Sequence, residues 1–169
     1  TIFQHVSFEL FPEEFLLLIG NNGAGKSTLF RLLSSLSRPS SGTLRLNSCA
    51  YSECLPQVRR NVGFLGHESR LYPDLSAEEN LAFYGRMYRV ENLKSKINKS
   101  LRKAGLEKWR AMPVRQFSMG MERRLSLARL TLHSPDLLVL DEPYAGLDVR
   151  AVLALHPTLK AAKELRKTG

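Results

Sequence analysis

Apolar and polar residues alternate near the start of the chain. Val6, Phe8 and Leu10 stand against Ser7 and Glu9, which predicts a half-buried strand. Pro12-Glu13-Glu14 predicts a turn, and Phe15 to Ile19 is an unbroken apolar run that predicts a strand covered on both faces. The period then changes. Leu29, Leu32, Leu33 and Leu36 recur at helical spacing, predicting a helix over 26–36 with these leucines toward a core. A loop is expected at 38–42, an alternating strand at Thr43 to Leu46, and a short apolar strand at Asn61 to Leu65 that ends at Gly66-His67.

Beyond His67 the strand signal fades. Ser76 with Glu79 three residues on forms a capping box, and Leu81, Tyr84, Met87 and Tyr88 give the following helix a buried stripe. A second helix, rich in Lys and Ser, runs from Asn92 to about Ala104 and ends at Gly105. A further helix follows Phe117-Ser118-Met119-Gly120-Met121. Its apolar side carries Leu125, Leu127, Ala128 and Leu130, and Glu122, Arg123, Arg124 and Arg129 lie mostly on the other. Leu137 to Leu140 predicts a strand ending in Asp141-Glu142-Pro143. A loop at 144–148 and a helix over 149–167, kinked at Pro157, complete the pattern. The expected fold is α/β, with residues 68–116 as a small helical subdomain inserted between core segments 1–67 and 117–169.

Composition narrows this only a little. The chain has 169 residues, 43% of them hydrophobic, enough for one sizeable core. Its net charge of +9 suits an anionic ligand, a nucleic acid or an anionic membrane face without discriminating among them, and reads first as an ordinary solvated basic surface. Cys49 and Cys54 form no metal-ligand set and read as free thiols of a reducing compartment. No apolar run approaches the ~20 residues of a membrane span. Thr1 is not an initiator, and Gly169 follows directly on a helix, so both ends read as truncated and a fragment of a larger domain is expected.

The chemistry begins at Gly20-Asn21-Asn22-Gly23-Ala24-Gly25-Lys26-Ser27 and Thr28, set between the apolar run and the first helix. The spacing G-x-x-x-x-G-K-S between a strand and a helix is a phosphate-binding loop. Glycines let consecutive N–H groups turn inward, and the helix N-terminus favours an anion at the same place. Lys26 can reach β- and γ-phosphates, and Ser27 can ligate Mg²⁺. Asp141 and Glu142 end a buried strand, where parallel sheets bind ligands. Asp141 can help hold Mg²⁺. Glu142, biased to an extended backbone by the following proline, can polarise a water aimed at the γ-phosphate. Ser118 and Gly120 open a helix and offer either a second anion site or an ordinary serine cap.

The order GNNGAGKS, FSMGM-ERRLSLARL, LLVLDEP and AGLD resembles the nucleotide-binding subunit of ABC transporters over essentially the whole chain. The resemblance implies a P-loop NTPase (RecA-like) core and a head-to-tail dimer holding two ATP. In it, Ser118 and Gly120 meet the γ-phosphate bound by the other chain's Lys26, Asp148 lies at the seam and Glu142 is the catalytic base. The usual L-S-G-G-Q is replaced by Phe117 to Met121, with Ser118 and Gly120 kept. His67 stands where the family usually has a glutamine that touches Mg²⁺ and the attacking water. It acts through a water, or it is only a loop residue. Leu65-Gly66-His67, the stretch Leu75 to Tyr84 and Met112 to Phe117 resemble the haem-exporter ATPase of cytochrome c biogenesis.

The implied partners are a second ATP-binding subunit, identical or not, and a polytopic membrane subunit contacting Tyr72-Pro73. The implied location is peripheral, on the cytoplasmic face of the inner or plasma membrane. The competing reading is a soluble ABC-type ATPase acting on nucleic acid or ribosomes, which the charge suits. Such relatives usually carry long coiled-coil inserts or tandem cassettes, so no nucleic acid is expected here. A nucleotide-binding regulator without turnover is a third reading, against which Glu142 argues. The family's adenine-stacking aromatic would precede Thr1 and its switch histidine would follow Gly169, and His156 replaces neither. Residues 1–169 alone are therefore expected to hydrolyse ATP poorly, and near-normal turnover by this segment in isolation would refute that.

Overall fold

A computed structural model describes residues 4–21 and 23–142. The predicted loop at 144–148 and the helix over 149–167 lie outside the described residues. The chain divides into two compact units between Arg59 and Arg60.

In the first unit, helix α1 spans Lys26–Leu33, shorter than the predicted 26–36, and Leu36 is exposed. Strands β1 (Arg45–Leu46) and β2 (Cys49–Ala50) form an antiparallel hairpin. Helix α2 (Leu55–Asn61) follows, its last two residues belonging to the second unit. The end of α1 is tied to these elements. Tyr51 donates its hydroxyl to the Leu33 carbonyl at 2.8 Å, and Arg59 Nε donates to Ser35 Oγ at 3.2 Å. Last-turn carbonyls lack an intrahelical donor, so the Tyr51 bond satisfies one of them. Burial pushes the Tyr51 hydroxyl up to about 12.

Three expectations fail in this unit. The segments 6–10 and 15–19 join no β-ladder among the described residues, and Phe15 and Ile19 are 80% and 86% exposed. An apolar run becomes a buried strand only where another strand pairs with it and another layer covers it, and periodicity specifies neither. The turn at Pro12-Glu13-Glu14 does form, closed by Glu14 N–H donating to the Phe11 carbonyl at 3.1 Å. The cysteines are not free thiols, because a disulfide joins Cys49 to Cys54. Glu53 and Cys54 N–H both donate to the Ala50 carbonyl, and this tight turn brings the cysteine Cα atoms to 6.1 Å, within bridging range.

In the second unit, β3 (Val62–Leu65) and β4 (Leu137–Leu140) pair in parallel, with Val62 opposite Leu137 and Leu65 opposite Leu140. The long crossover between them carries α3 (Ala77–Met87), α4 (Leu93–Lys103) and α5 (Met119–Thr131). The predicted capping box starts α3: Ser76 Oγ accepts from Glu79 N–H, and the Glu79 carboxylate accepts from Ser76 N–H. Asn92 and Gly105 bound α4 as expected, Gly105 with φ 65°. The buried stripe of α3 is Ala77, Asn80, Leu81 and Gly85, whereas Met87 turns outward.

Helix α5 lies between two layers. Leu127 and Leu130 pack with Leu65 of β3, while Leu125 and Ala128 join Leu81, Ile97 and Leu101 of the helical layer. This overturns the polar face assigned to Arg129, which is only 6% exposed. A helix covered on both sides has no solvent face at that level. The Arg129 guanidinium lies 4.7 Å over the Tyr84 ring, an attraction worth about 0.5–2 kcal/mol, and its Nε and Nη2 have no hydrogen-bond partner among the described residues. Beside it, His133 stacks on Tyr88 at 3.9 Å.

Burial, aided by Arg129, pushes the His133 imidazole down to about 4. The folded protein therefore keeps His133 neutral while the unfolded chain protonates it near pH 6.5. This stabilisation is complete above pH 6.5 and is lost as pH falls toward 4, at most about 3 kcal/mol. His133→Phe, which keeps a ring against Tyr88, should flatten the decline in urea-unfolding stability between pH 6.5 and 4. An unchanged slope would show that other groups set it.

Candidate functional site

The predicted phosphate-binding loop lies in the first unit. Gly23 and Gly25 adopt φ of 81° and 90°, conformations that side chains rarely tolerate, and Gly25 leads directly into α1. No side chain caps α1, so its first N–H groups are left for a ligand. Gly20 is constrained differently: a Cβ there would stand 3.3 Å from that of Ala24. Lys26 Nζ donates to the carbonyls of Gly20 at 2.6 Å and Asn21 at 2.9 Å, folding the ammonium back over the loop. Ser27 is exposed, Thr28 half-buried, and Asn22 lies outside the described residues.

The second unit brings three candidates together. Because β3 and β4 run parallel and in register, Gly66-His67 and Asp141-Glu142 emerge side by side at their carboxyl ends. Asp141 N–H donates to the Leu65 carbonyl at 2.8 Å, extending the ladder to the first acid. His67 is exposed. Ser118 caps α5, its Oγ accepting from Met121 N–H at 3.3 Å, and Gly120 sits in the first turn. The serine cap is thus realised, at a helix end open to solvent. Asp148 lies outside the described residues. Ser27 belongs to the first unit and Asp141 to the second.

One expectation about Glu142 is reversed. The following proline predicted an extended backbone, but Glu142 has φ 45°, in the left-handed region. Such a conformation costs on the order of 1–3 kcal/mol and persists only where surrounding bonds fix it. Here they come from Arg123 of α5. Its Nη2 donates to the Asp141 carbonyl at 3.1 Å and to the Glu142 carbonyl at 2.7 Å, and its Nη1 to the Gly66 carbonyl at 2.8 Å. Burial lowers the Arg123 pKa, while Asp141 and Glu142 act to raise it.

Sequence reasoning missed Arg123, which is one of several basic residues on α5 and carries no distinguishing signal. It also missed Asn80. This fully buried side chain accepts from Tyr72 N–H at 2.8 Å and donates to the carbonyls of Tyr72, Leu75 and Ser76, pinning the 72–76 loop. A weak helix former one residue after a capping glutamate is the signal that could have marked it.

Ser27 and Asp141 each offer an oxygen donor of the kind that Mg²⁺ takes. A serine hydroxyl and one carboxylate suit a cation that keeps several waters and takes phosphate oxygens. The described residues hold no group of three or more His, Cys, Asp or Glu able to form an all-protein metal cage.

Gly23→Ala tests the loop directly. A Cβ there would meet nothing within 4 Å, so the penalty is one of backbone conformation alone, roughly 1–2 kcal/mol. ATP affinity should fall about tenfold with far-UV circular dichroism unchanged; unaltered affinity would mean that this angle does not shape the cradle.

Comparison with known proteins places these features. Residues 3–145 match the model of the ABC transporter family. The chain is 38% identical over 169 residues to "Cytochrome c biogenesis ATP-binding export protein CcmA 2" of Cupriavidus metallidurans, covering 100% of this chain and 79% of that protein. It is 37% identical over 170 residues to "Nod factor export ATP-binding protein I" of the same organism, covering 99% of this chain and 56% of that protein. The chain thus spans little more than half the length of the second relative. A solved ATP-binding cassette, dimeric in a post-hydrolysis state with ADP and phosphate, superposes with a TM-score of 0.75 at 25% identity, over 86% of this chain and 68% of that one. The α/β fold is that of the P-loop ATPases of this group, and the chain belongs to the ABC transporter family.

Proposed function

We propose that the chain is the ATP-hydrolysing motor subunit of an ABC transporter, exporting haem or a related substrate for cytochrome c biogenesis. The observation that carries the reading is the loop geometry: Gly23 and Gly25 left-handed, α1 uncapped, and Lys26 bonded to the loop's own carbonyls. Those carbonyls are neutral acceptors. The β- and γ-phosphates of ATP offer charged ones, so nucleotide draws the ammonium off the loop and onto itself. Ser27 and Asp141 would hold Mg²⁺, with His67 beside Asp141. The ion would neutralise charge on the phosphate oxygens. Glu142 orients a water toward the γ-phosphorus and takes its proton as the β–γ bridging bond breaks, giving ADP and phosphate.

Residues 1–67 and 117–169 serve as the ATPase core and 68–116 as the inserted helical subdomain. Ser118 and Gly120, at the open N-terminus of α5, meet the γ-phosphate bound by a second cassette, with Asp148 at the seam. The dimeric ADP-bound relative supports this arrangement. The membrane subunit docks at Tyr72-Pro73, on the cytoplasmic side. Tyr72, on the loop that Asn80 holds, and Phe83 of α3 are 45% and 41% exposed and stack edge to face at 4.8 Å, giving an apolar surface. No described helix is long and apolar enough to cross a membrane itself. The haem assignment draws on the name of the CcmA relative and on His67. The net charge of +9 would suit the alternative, a soluble ABC-type ATPase acting on nucleic acid or ribosomes, but does not single it out.

In the full-length protein, Lys26→Ala should weaken ATP binding at least about 100-fold, an interaction of some 3 kcal/mol. Glu142→Gln should keep binding and lose about 10²- to 10⁴-fold in turnover, accumulating an ATP-bound dimer. Undiminished affinity in Lys26→Ala sinks the reading. A deletion strain with normal c-type cytochromes sinks only the haem assignment, and turnover stimulated by RNA or DNA would favour the alternative.

A further inference from the structure

The reaction above gives Arg123 no part, yet its guanidinium reaches the backbone at both strand ends. The carbonyls it binds belong to three particular peptides. That of Asp141 lies in the peptide before the Glu142 Cα, and that of Glu142 in the peptide after it. Holding both peptide planes fixes the backbone angles at that Cα, and with them the direction in which the carboxylate leaves the chain. The third carbonyl, of Gly66, lies in the peptide that precedes His67. Glu142 sits at φ 45°, a conformation it would not choose unaided before a proline. Docking of α5 does not need these bonds, since Leu127 and Leu130 already seat it on Leu65, Leu138 and Leu140. Arg123 also lies on the helix that Ser118 caps, within its first two turns.

We propose that Arg123 is a positioning residue for ATP hydrolysis: it aims the Glu142 carboxylate and ties that aim to the placement of the Ser118-capped end of α5. The proposal rests on reading Glu142 as the base. When a second nucleotide-bound cassette engages Ser118, a shift of α5 moves Arg123, and the peptides around Glu142 move with it. The chemistry of the base and the closure of the dimer are then linked through one side chain. Its effect passes through the backbone it holds.

The test compares Arg123→Ala, Arg123→Gln and Arg123→Lys in the full-length protein, alone and combined with Glu142→Gln. Steady-state and single-turnover ATPase rates, ATP affinity and thermal midpoints are read for each. Arg123→Ala should lower kcat about 100-fold, the effect expected of a misaimed group, with KM for ATP within about twofold of wild type. Arg123→Lys and Arg123→Gln, which keep N–H donors, should recover part of that loss. In the Glu142→Gln background, Arg123→Ala should cost nothing further. The proposal is overturned if Arg123→Ala turns over like wild type, or if its loss multiplies with that of Glu142→Gln. It is equally overturned if kcat and the thermal midpoint fall while KM rises in all three variants, which would make Arg123 a structural tie. Should Arg123→Ala not fold, Arg123→Gln and Arg123→Lys decide by the same criteria. Near-normal turnover by Glu142→Gln alone would instead sink the reading of Glu142 itself, a result distinct from any failure of Arg123.

Discussion

Helix α5 is buried on two opposite sides, and the arrangement of the second unit follows from that. One side meets the β3–β4 pair through Leu127 and Leu130; the other meets α3 and α4 through Leu125 and Ala128. Each fully buried leucine contributes about 1.5–3 kcal/mol relative to exposure, so the helix cannot roll without surrendering one layer or the other. A helix so fixed makes a reference against which polar groups at its margins can be set. Arg129 and His133 lie toward the aromatic rings of Tyr84 and Tyr88, while Arg123, nearer the N-terminus, comes out at the strand ends.

Parallel pairing supplies the second constraint. Strands in parallel register deliver their following residues at one level, and the slanted hydrogen bonds continue as far as Asp141. A parallel pair also needs a long crossover, and here the crossover contains the helical layer that covers α5. The same connection therefore places His67 beside the acids and builds the apolar surface at Tyr72 and Phe83. Asn80, buried within that layer, satisfies all its bonds on the 72–76 loop, so the loop is held by hydrogen bonding in a place where apolar packing alone would leave it free.

Several features were legible from residues alone because their cause is local. The Ser76–Glu79 capping box, the αL glycine ending α4, the turn at residues 12–14 and the glycines of the phosphate loop each depend on atoms a few positions apart. A motif of fixed spacing reports a backbone conformation directly, which is why Gly23 and Gly25 could be assigned before any coordinates. The short runs Val62–Leu65 and Leu137–Leu140 were legible as strands for their β-branched and leucine content between breakers.

What the residues could not disclose was decided by neighbours distant in the chain. The alternation of Val6, Phe8 and Leu10 and the apolar run from Phe15 marked potential strands, but a strand needs a ladder, and these segments join none among the described residues. Arg129 looked like a solvent-facing residue until a second layer closed over it. Glu142 was expected to be extended on its local sequence, and two bonds from a side chain nineteen positions away, to the carbonyls of Asp141 and Glu142, hold it otherwise. The sequence by itself determined the phosphate loop, the helix caps and the family, since these reside in short-range stereochemistry and spacing. Only the tertiary structure decided which cations are buried and how the acid after β4 is aimed, because burial and long-range hydrogen bonds are properties of packed layers rather than of any segment.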